Sequence, residues 1–155
     1  MIRRCFTNHS PVVVRNLYCG LVRPILETNS PAWNPWLKKD IECLDKVQRK
    51  CERLCSQDLH LQPLAQRRLK ADMRETYKLL HGHYKTDTSS MFTLSERSGL
   101  RGHELKLAKE SSRTEVRHQF FSNRVVNAWN GLDESTVMAP SLDIFKTRLE
   151  RSNIW

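Results

Sequence analysis

Pro24 falls inside an apolar helical pattern set by Leu17, Leu21 and Ile25. A proline there removes a backbone donor, so a helix that carries it must bend or end. Asn29, Ser30 and Pro31 follow as a turn signal, and Trp33 and Trp36 flank Asn34-Pro35. Any fold for this chain must therefore turn a corner between residues 17 and 36, with two large rings at the corner. A packed tryptophan buries about 150–250 Å², so the first reading is a packing anchor that fixes the helices on either side. A stacking platform for a nucleic-acid base is the alternative.

The rest of the chain reads as helices joined by short connections. Ser10-Pro11 is a helix start, a capping hydroxyl followed by proline at the first helical position. The first helix is expected from about Pro11 to Val22, with a bent turn continuing toward Thr28. The second, from about Asp40 to Cys55, repeats Ile41, Leu44, Val47, Cys51 and Leu54 at the spacing of one buried face. Lys46, Arg49, Lys50 and Arg53 recur at spacings of three and four on nearly the opposite face. Acids early (Asp40, Glu42, Asp45) and bases late suit the helix dipole. A third helix runs from about Pro63 to His81 and is closed by Gly82. Leu69, Met73, Thr76 and Leu80 form its inner face, with Tyr77 packing beside them. Arg67, Lys70, Arg74 and Lys78 repeat the basic spacing of the second helix.

After Gly82 the pattern changes. Phe92 to Leu94 and Glu104 to Ala108 alternate around Gly99 and Gly102, which predicts a short β-hairpin near 91–108. A fourth helix is expected over about Gln119 to Leu132, burying Phe121, Val125, Trp129 and Leu132. Ser141 caps a last helix, Leu142 to Arg151, with Leu142, Phe145 and Leu149 inward. The predicted fold is mainly α, a small bundle of about five helices. It divides into a helical segment over 1–82 and a C-terminal extension over 83–155.

Charge narrows the partners. Lys plus Arg number 26 against 17 Asp plus Glu, a net charge of +9 over 155 residues. With no long apolar segment, that balance points to a polyanion, nucleic acid before membrane. Each basic row has two readings, a solvated helix face or a row of phosphate contacts. The hydrophobic fraction is 39% and mean hydropathy is −0.60, so the core should be thin and some apolar surface left for a partner. Cys5, Cys19, Cys43, Cys51 and Cys55 are odd in number and lack a disulfide-framework spacing. Met1-Ile2-Arg3-Arg4 has no apolar run after it to make a secretory signal. These features imply an intracellular chain, nuclear or cytoplasmic, with the Asn8-His9-Ser10 sequon unused.

Catalytic patterns are missing from the sequence. Asp133-Glu134 is the adjacent acidic pair, and nothing beside it suggests the paired ions of phosphoryl transfer. No phosphate-binding loop, dinucleotide fingerprint or nucleophile elbow occurs. Cys51 and Cys55 lie near His60, His81 and His83 in sequence, yet both cysteines fall on an apolar helix face, where a free thiol acts as a small hydrophobe. The expectation is no enzyme, no cofactor, no metal and no small-molecule substrate.

Several short runs together resemble a known family. They are Leu17-Tyr18; Leu21-Val22-Arg23-Pro24 with Leu26-Glu27; Ser30-Pro31-Ala32-Trp33-Asn34-Pro35; and Leu44 with Val47-Gln48-Arg49-Lys50. Thr76-Tyr77-Lys78-Leu79-Leu80-His81-Gly82 and Arg101-Gly102-His103 follow. Phe120 to Asn130 (FFSNRVVNAWN) and Ala139-Pro140-Ser141 with Phe145-Lys146 and Arg148-Leu149 complete the set. In this order they resemble the C-terminal region of reverse transcriptases from non-LTR (LINE-type) retrotransposons, the part after the catalytic palm.

The resemblance implies a helical thumb that grips a template–primer duplex by its backbone, followed by an extension beyond the thumb. It also implies that the palm's catalytic aspartates lie upstream of this sequence. Lys46, Arg49, Lys50, Arg53, Arg67, Lys70, Arg74 and Lys78 are then the candidate nucleic-acid contacts, with RNA or an RNA–DNA duplex as ligand and a separate palm as a possible protein partner. The sequence departs from the family at Cys51 and Cys55, at Asp133 after Leu132, and in a shorter link between the second and third helices. Those departures suit a truncated element copy. Cys19, Leu21 and Ile25, next to the missing palm, are then expected to be partly exposed. The competing expectations are a helical protein-interaction module and a truncated reading frame without selected function.

Overall fold

The computed structural model describes residues 10–55, 59–85, 87–95 and 102–152. Cys5, the sequon at Asn8, the Gly99 turn and Arg101 lie outside the described residues.

The first described helix begins at Pro11, where a missing N–H costs nothing. α1 (Pro11–Leu17) passes into a π-helical turn (Tyr18–Val22) and then into α2 (Arg23–Glu27). That wide turn accommodates Pro24. The Arg23 N–H reaches back to the Tyr18 carbonyl, and the extra residue per turn relieves the clash of the proline ring with the turn before it. The helix therefore bends and continues. Ser10 contributes its carbonyl, which accepts from Val14 N–H at 3.0 Å, but its hydroxyl does not cap the helix as the sequence suggested.

Asn29 adopts a left-handed φ of 54°, a conformation its short polar side chain tolerates, and turns the chain into α3 (Ser30–Trp33). Two long helices follow, α4 (Lys38–Cys55) and α5 (Leu64–Leu80). Gly82, at φ +69°, ends α5 with His83 N–H donating to the Lys78 carbonyl at 2.9 Å. That is the closure expected of a glycine just past a helix end. Among the described residues four more helices follow: α6 (Glu115–His118), α7 (Phe121–Asn130), α8 (Glu134–Val137) and α9 (Leu142–Arg151). Ser141 caps α9 through Ile144 N–H. The fold is mainly helical, as the periodicity predicts.

The chain forms two compact units, one ending at Arg68 and the other beginning at Leu69. In the first, Val14, Tyr18, Cys51 and Leu59 make a small core, with Cys19, Val22, Leu26, Leu54 and Leu61 partly buried around it. In the second, Met73, Tyr77, Val125, Trp129, Phe145 and Leu149 lie at the centre of a larger core. Burial of side chains of this size contributes about 1.5–3 kcal/mol each. Tyr77 and Phe145 stack with ring centroids 4.4 Å apart, and the Tyr77 hydroxyl donates to the Ala139 carbonyl at 2.6 Å. Tyr77 is thus a packing residue, with burial pushing its phenol pKa up.

The expected hairpin is reduced, among the described residues, to one antiparallel bridge between Leu94 and Leu107. Ser95 N–H donates to the Lys106 carbonyl, and Ala108 N–H to the Thr93 carbonyl, both at 2.8 Å. What fastens the 103–107 segment is α7 rather than a longer ladder. Asn130 both accepts from Leu107 N–H and donates to the Leu107 carbonyl, each at 2.8 Å. The Trp129 indole N–H donates to the Leu105 carbonyl at 2.8 Å, and the His103 ring meets the Trp129 carbonyl at 3.1 Å. Side chains of the FFSNRVVNAWN run thus supply bonds that a second strand would otherwise make.

Candidate nucleic-acid interface

α4 forms because its interior holds Leu, Lys, Gln, Arg and Glu and no Gly or Pro. Its first turn is set by Leu37, whose carbonyl accepts from Asp40 and Ile41 N–H groups at 3.0 and 3.1 Å. One face is held against α1: Cys51 is buried with Val14 and Tyr18, and the Tyr18 hydroxyl donates to Gln48 Oε1 at 3.2 Å. Burial, with the Glu27 carboxylate as a second cause, pushes the Tyr18 phenol up to about 12. With this face held inward, the rotation of α4 about its axis is fixed, and so is the direction of its other face.

Lys46, Arg49, Lys50 and Arg53 are all exposed on that outward face. Among the described residues none of the four pairs with a carboxylate. Arg49 turns its Nε toward the Asp45 carbonyl at 3.4 Å and keeps its charge in solvent. α4 begins two residues earlier than the sequence pattern indicated, which brings Lys39 into the helix, also exposed. Lys39, Lys46, Lys50 and Arg53 share a face by helical spacing. The signal for Lys39 was its seven-residue distance from Lys46. A helix start at Asp40 leaves Lys39 outside that row.

The cations of α5 have different surroundings despite the same spacing. Arg67 makes a two-bond pair with Glu27, its Nη2 lying 2.8 Å from Oε2 and its Nε on Oε1. Lys70 is buried and pairs with Glu150. Arg74 donates to the Lys70 carbonyl at 3.2 Å. Lys78 lies 3.2 Å from Glu75 and 3.3 Å from the Tyr84 hydroxyl, which itself donates to Glu75 at 2.6 Å. Desolvation lowers the Lys78 pKa, but the bonds from Tyr84 and Glu75 outweigh it and the net shift is upward. Arg67, Lys70 and Lys78 are therefore tied into the protein, whereas the α4 row faces water.

The aromatic corner also differs from its first reading. Trp33 and Trp36 are each 40% exposed and stand outside both cores. Trp33 closes the turn through its indole N–H, which donates to the Thr28 carbonyl at 2.7 Å. It fixes the corner with a hydrogen bond and leaves much of its ring in solvent. Nearby, Leu21 is 57% and Ile25 76% exposed, and Cys19 is partly exposed. This agrees with the exposure expected for all three.

Among the described residues no three His, Cys, Asp or Glu side chains converge to hold a metal ion, and no helix is long and apolar enough to cross a membrane. Cys19 and Cys43 are free thiols. The geometry thus defines a mainly helical protein whose most distinct surface is a solvent-facing basic helix row. Compared with protein-family models, curated proteins and solved structures, the chain matches none.

Proposed function

We propose that the chain is a non-catalytic nucleic-acid-binding segment of the thumb type, related to retrotransposon reverse transcriptases, that holds an RNA or RNA–DNA backbone on α4. The observation that carries this reading is the row Lys46, Arg49, Lys50 and Arg53. All four are exposed, on one face of one helix, without a carboxylate pair among the described residues. Four cations that stay in water contribute little to stability, yet each can release a condensed counterion when it meets a phosphate. Such contacts position a nucleic acid without reading its bases.

The test is a salt titration. If about four phosphates are neutralised, log affinity should fall against log salt with a slope of about −3 to −4. Changing Lys46, Arg49, Lys50 and Arg53 together to Glu should abolish binding while far-ultraviolet circular dichroism stays unchanged. A control changes the exposed Lys85, Lys109, Arg113 and Arg151 to Glu, which lowers net charge equally and should leave most of the affinity. Equal losses in the two variants would refute the reading, because bulk charge rather than the α4 face would then be responsible.

A second reading rests on the exposed Val12, Leu21 and Ile25, which suit a helical module that docks on another protein. It predicts a chain that gains structure with a protein partner and ignores RNA. Cooperative thermal melting of the isolated chain counts against it.

A further inference from the structure

Trp33 and Trp36, just before the basic helix, are partly exposed and belong to neither core. They precede Leu37 and then the exposed pair Lys38 and Lys39 at the start of α4. Each tryptophan is 40% exposed, and leaving aromatic surface in water forgoes stabilisation that packing would supply. The Trp33 indole N–H is satisfied by the Thr28 carbonyl at 2.7 Å. Its ring is therefore held in one orientation, and a ligand that covers the face buries no unpaired donor. A ring fixed in advance also loses little conformational entropy when something stacks on it.

Charge decides what that ligand is. Exposed Asp40 and Glu42 lie between the tryptophans and the row, but from Lys46 through Arg53 the outward face of α4 presents four cations, so the ligand carries repeated negative charge as well as flat apolar groups. Nucleic acid has both. A blunt duplex does not, in usable form, because its bases are already stacked on one another and only its backbone reaches a protein surface. Unpaired bases can leave the stack and lie on aromatic rings, at a gain that tolerates any sequence.

Resting on the backbone-binding reading above, we infer that the ligand of the α4 face is single-stranded nucleic acid, or a duplex with a single-stranded overhang. Its unpaired bases stack on Trp33 and Trp36 while its phosphates follow the α4 cations. Trp33 and Trp36 are then binding residues, and the corner between α2 and α4 is a stacking platform at one end of the phosphate row.

The experiment uses the full chain and two labelled probes of equal length, a single-stranded RNA without secondary structure and a blunt RNA duplex, read by fluorescence anisotropy. Changing Trp33 and Trp36 together to Ala should weaken single-strand binding by at least about fivefold per ring and leave duplex binding within about twofold. The double change to Phe, which keeps a ring face, should restore most of the loss. If Trp33→Ala loosens the turn closed by its indole, Trp36→Ala carries the test, since its indole makes no hydrogen bond among the described residues. Single-strand affinity that is unchanged in the alanine variants but lost on reversing the α4 cations overturns the stacking platform and leaves the backbone reading standing. Affinity that survives reversal of the α4 cations overturns both.

Discussion

The ion pair between Asp72 on α5 and Arg124 on α7 should be the most sensitive polar contact in the second unit. Arg124 Nε lies 3.0 Å from Asp72 Oδ2 and Nη2 lies 2.9 Å from Oδ1. The side chains are 13% and 2% exposed. Nη1 also donates to the Gln119 carbonyl at 3.2 Å, and the guanidinium sits 5.4 Å from the centre of the Phe121 ring. Arg124→Ala withdraws two charge-assisted hydrogen bonds from a carboxylate that solvent barely reaches. Removing one partner of a buried pair costs about 3–5 kcal/mol. At about 2–4 °C per kcal/mol for a chain of this length, Tm should fall by about 6–20 °C. Urea unfolding followed by circular dichroism measures the loss, with an unchanged m-value showing that the end states are the same. Replacing both residues with apolar ones, Asp72→Leu with Arg124→Met, should recover most of the stability, because the pair's attraction is offset by its desolvation. A loss below about 1 kcal/mol for Arg124→Ala would refute the argument that burial makes this pair costly to break.

Three further outcomes follow from single groups. Burial holds the His103 pKa below its ordinary value, with Lys106 acting in the same direction against the Trp129 carbonyl bond. The folded state therefore resists protonation, so stability present above about pH 6.5 should be lost as pH falls through the lower folded value; His103→Asn should flatten that limb in urea titrations at several pH values. The Tyr18 phenol is raised to about 12, so its contribution is fully present below about pH 10 and should disappear as pH rises through 12. Comparison with Tyr18→Phe isolates that loss from the titrating lysines. Gly82 sits at φ +69° with open space where a Cβ would go, so Gly82→Ala should cost only the left-handed backbone strain, about 1–2 kcal/mol, seen as a lower urea midpoint.

Much of the fold is legible in the sequence where the signal is local. The Gly82 stop, the Ser141 cap and the inward set Phe121, Val125, Trp129, Phe145 and Leu149 all follow from spacing and cap chemistry, whereas on the expected inner face of α4 only Cys51 is buried and Ile41, Leu44 and Val47 are half-buried. Alternation in the 91–108 region marks extended chain, and its two arms do pair at Leu94 and Leu107; what alternation cannot show is that the Asn130 and Trp129 side chains also hold the second arm. The size of the Trp33 and Trp36 rings, which points to packing, is visible in a sequence, whereas their exposure is not.

The sequence by itself determined that α4 and α5 would each carry a one-sided basic row, since periodicity within one helix depends only on residues a turn apart. Only the tertiary structure decided that the two rows differ. Arg67 is answered by Glu27, 40 residues away in the chain, and Lys70 by Glu150, 80 residues away. No spacing rule reaches that far, because an ion pair depends on distance in space. The fold brings acids to α5, while Lys46, Arg49, Lys50 and Arg53 on α4 are left facing water.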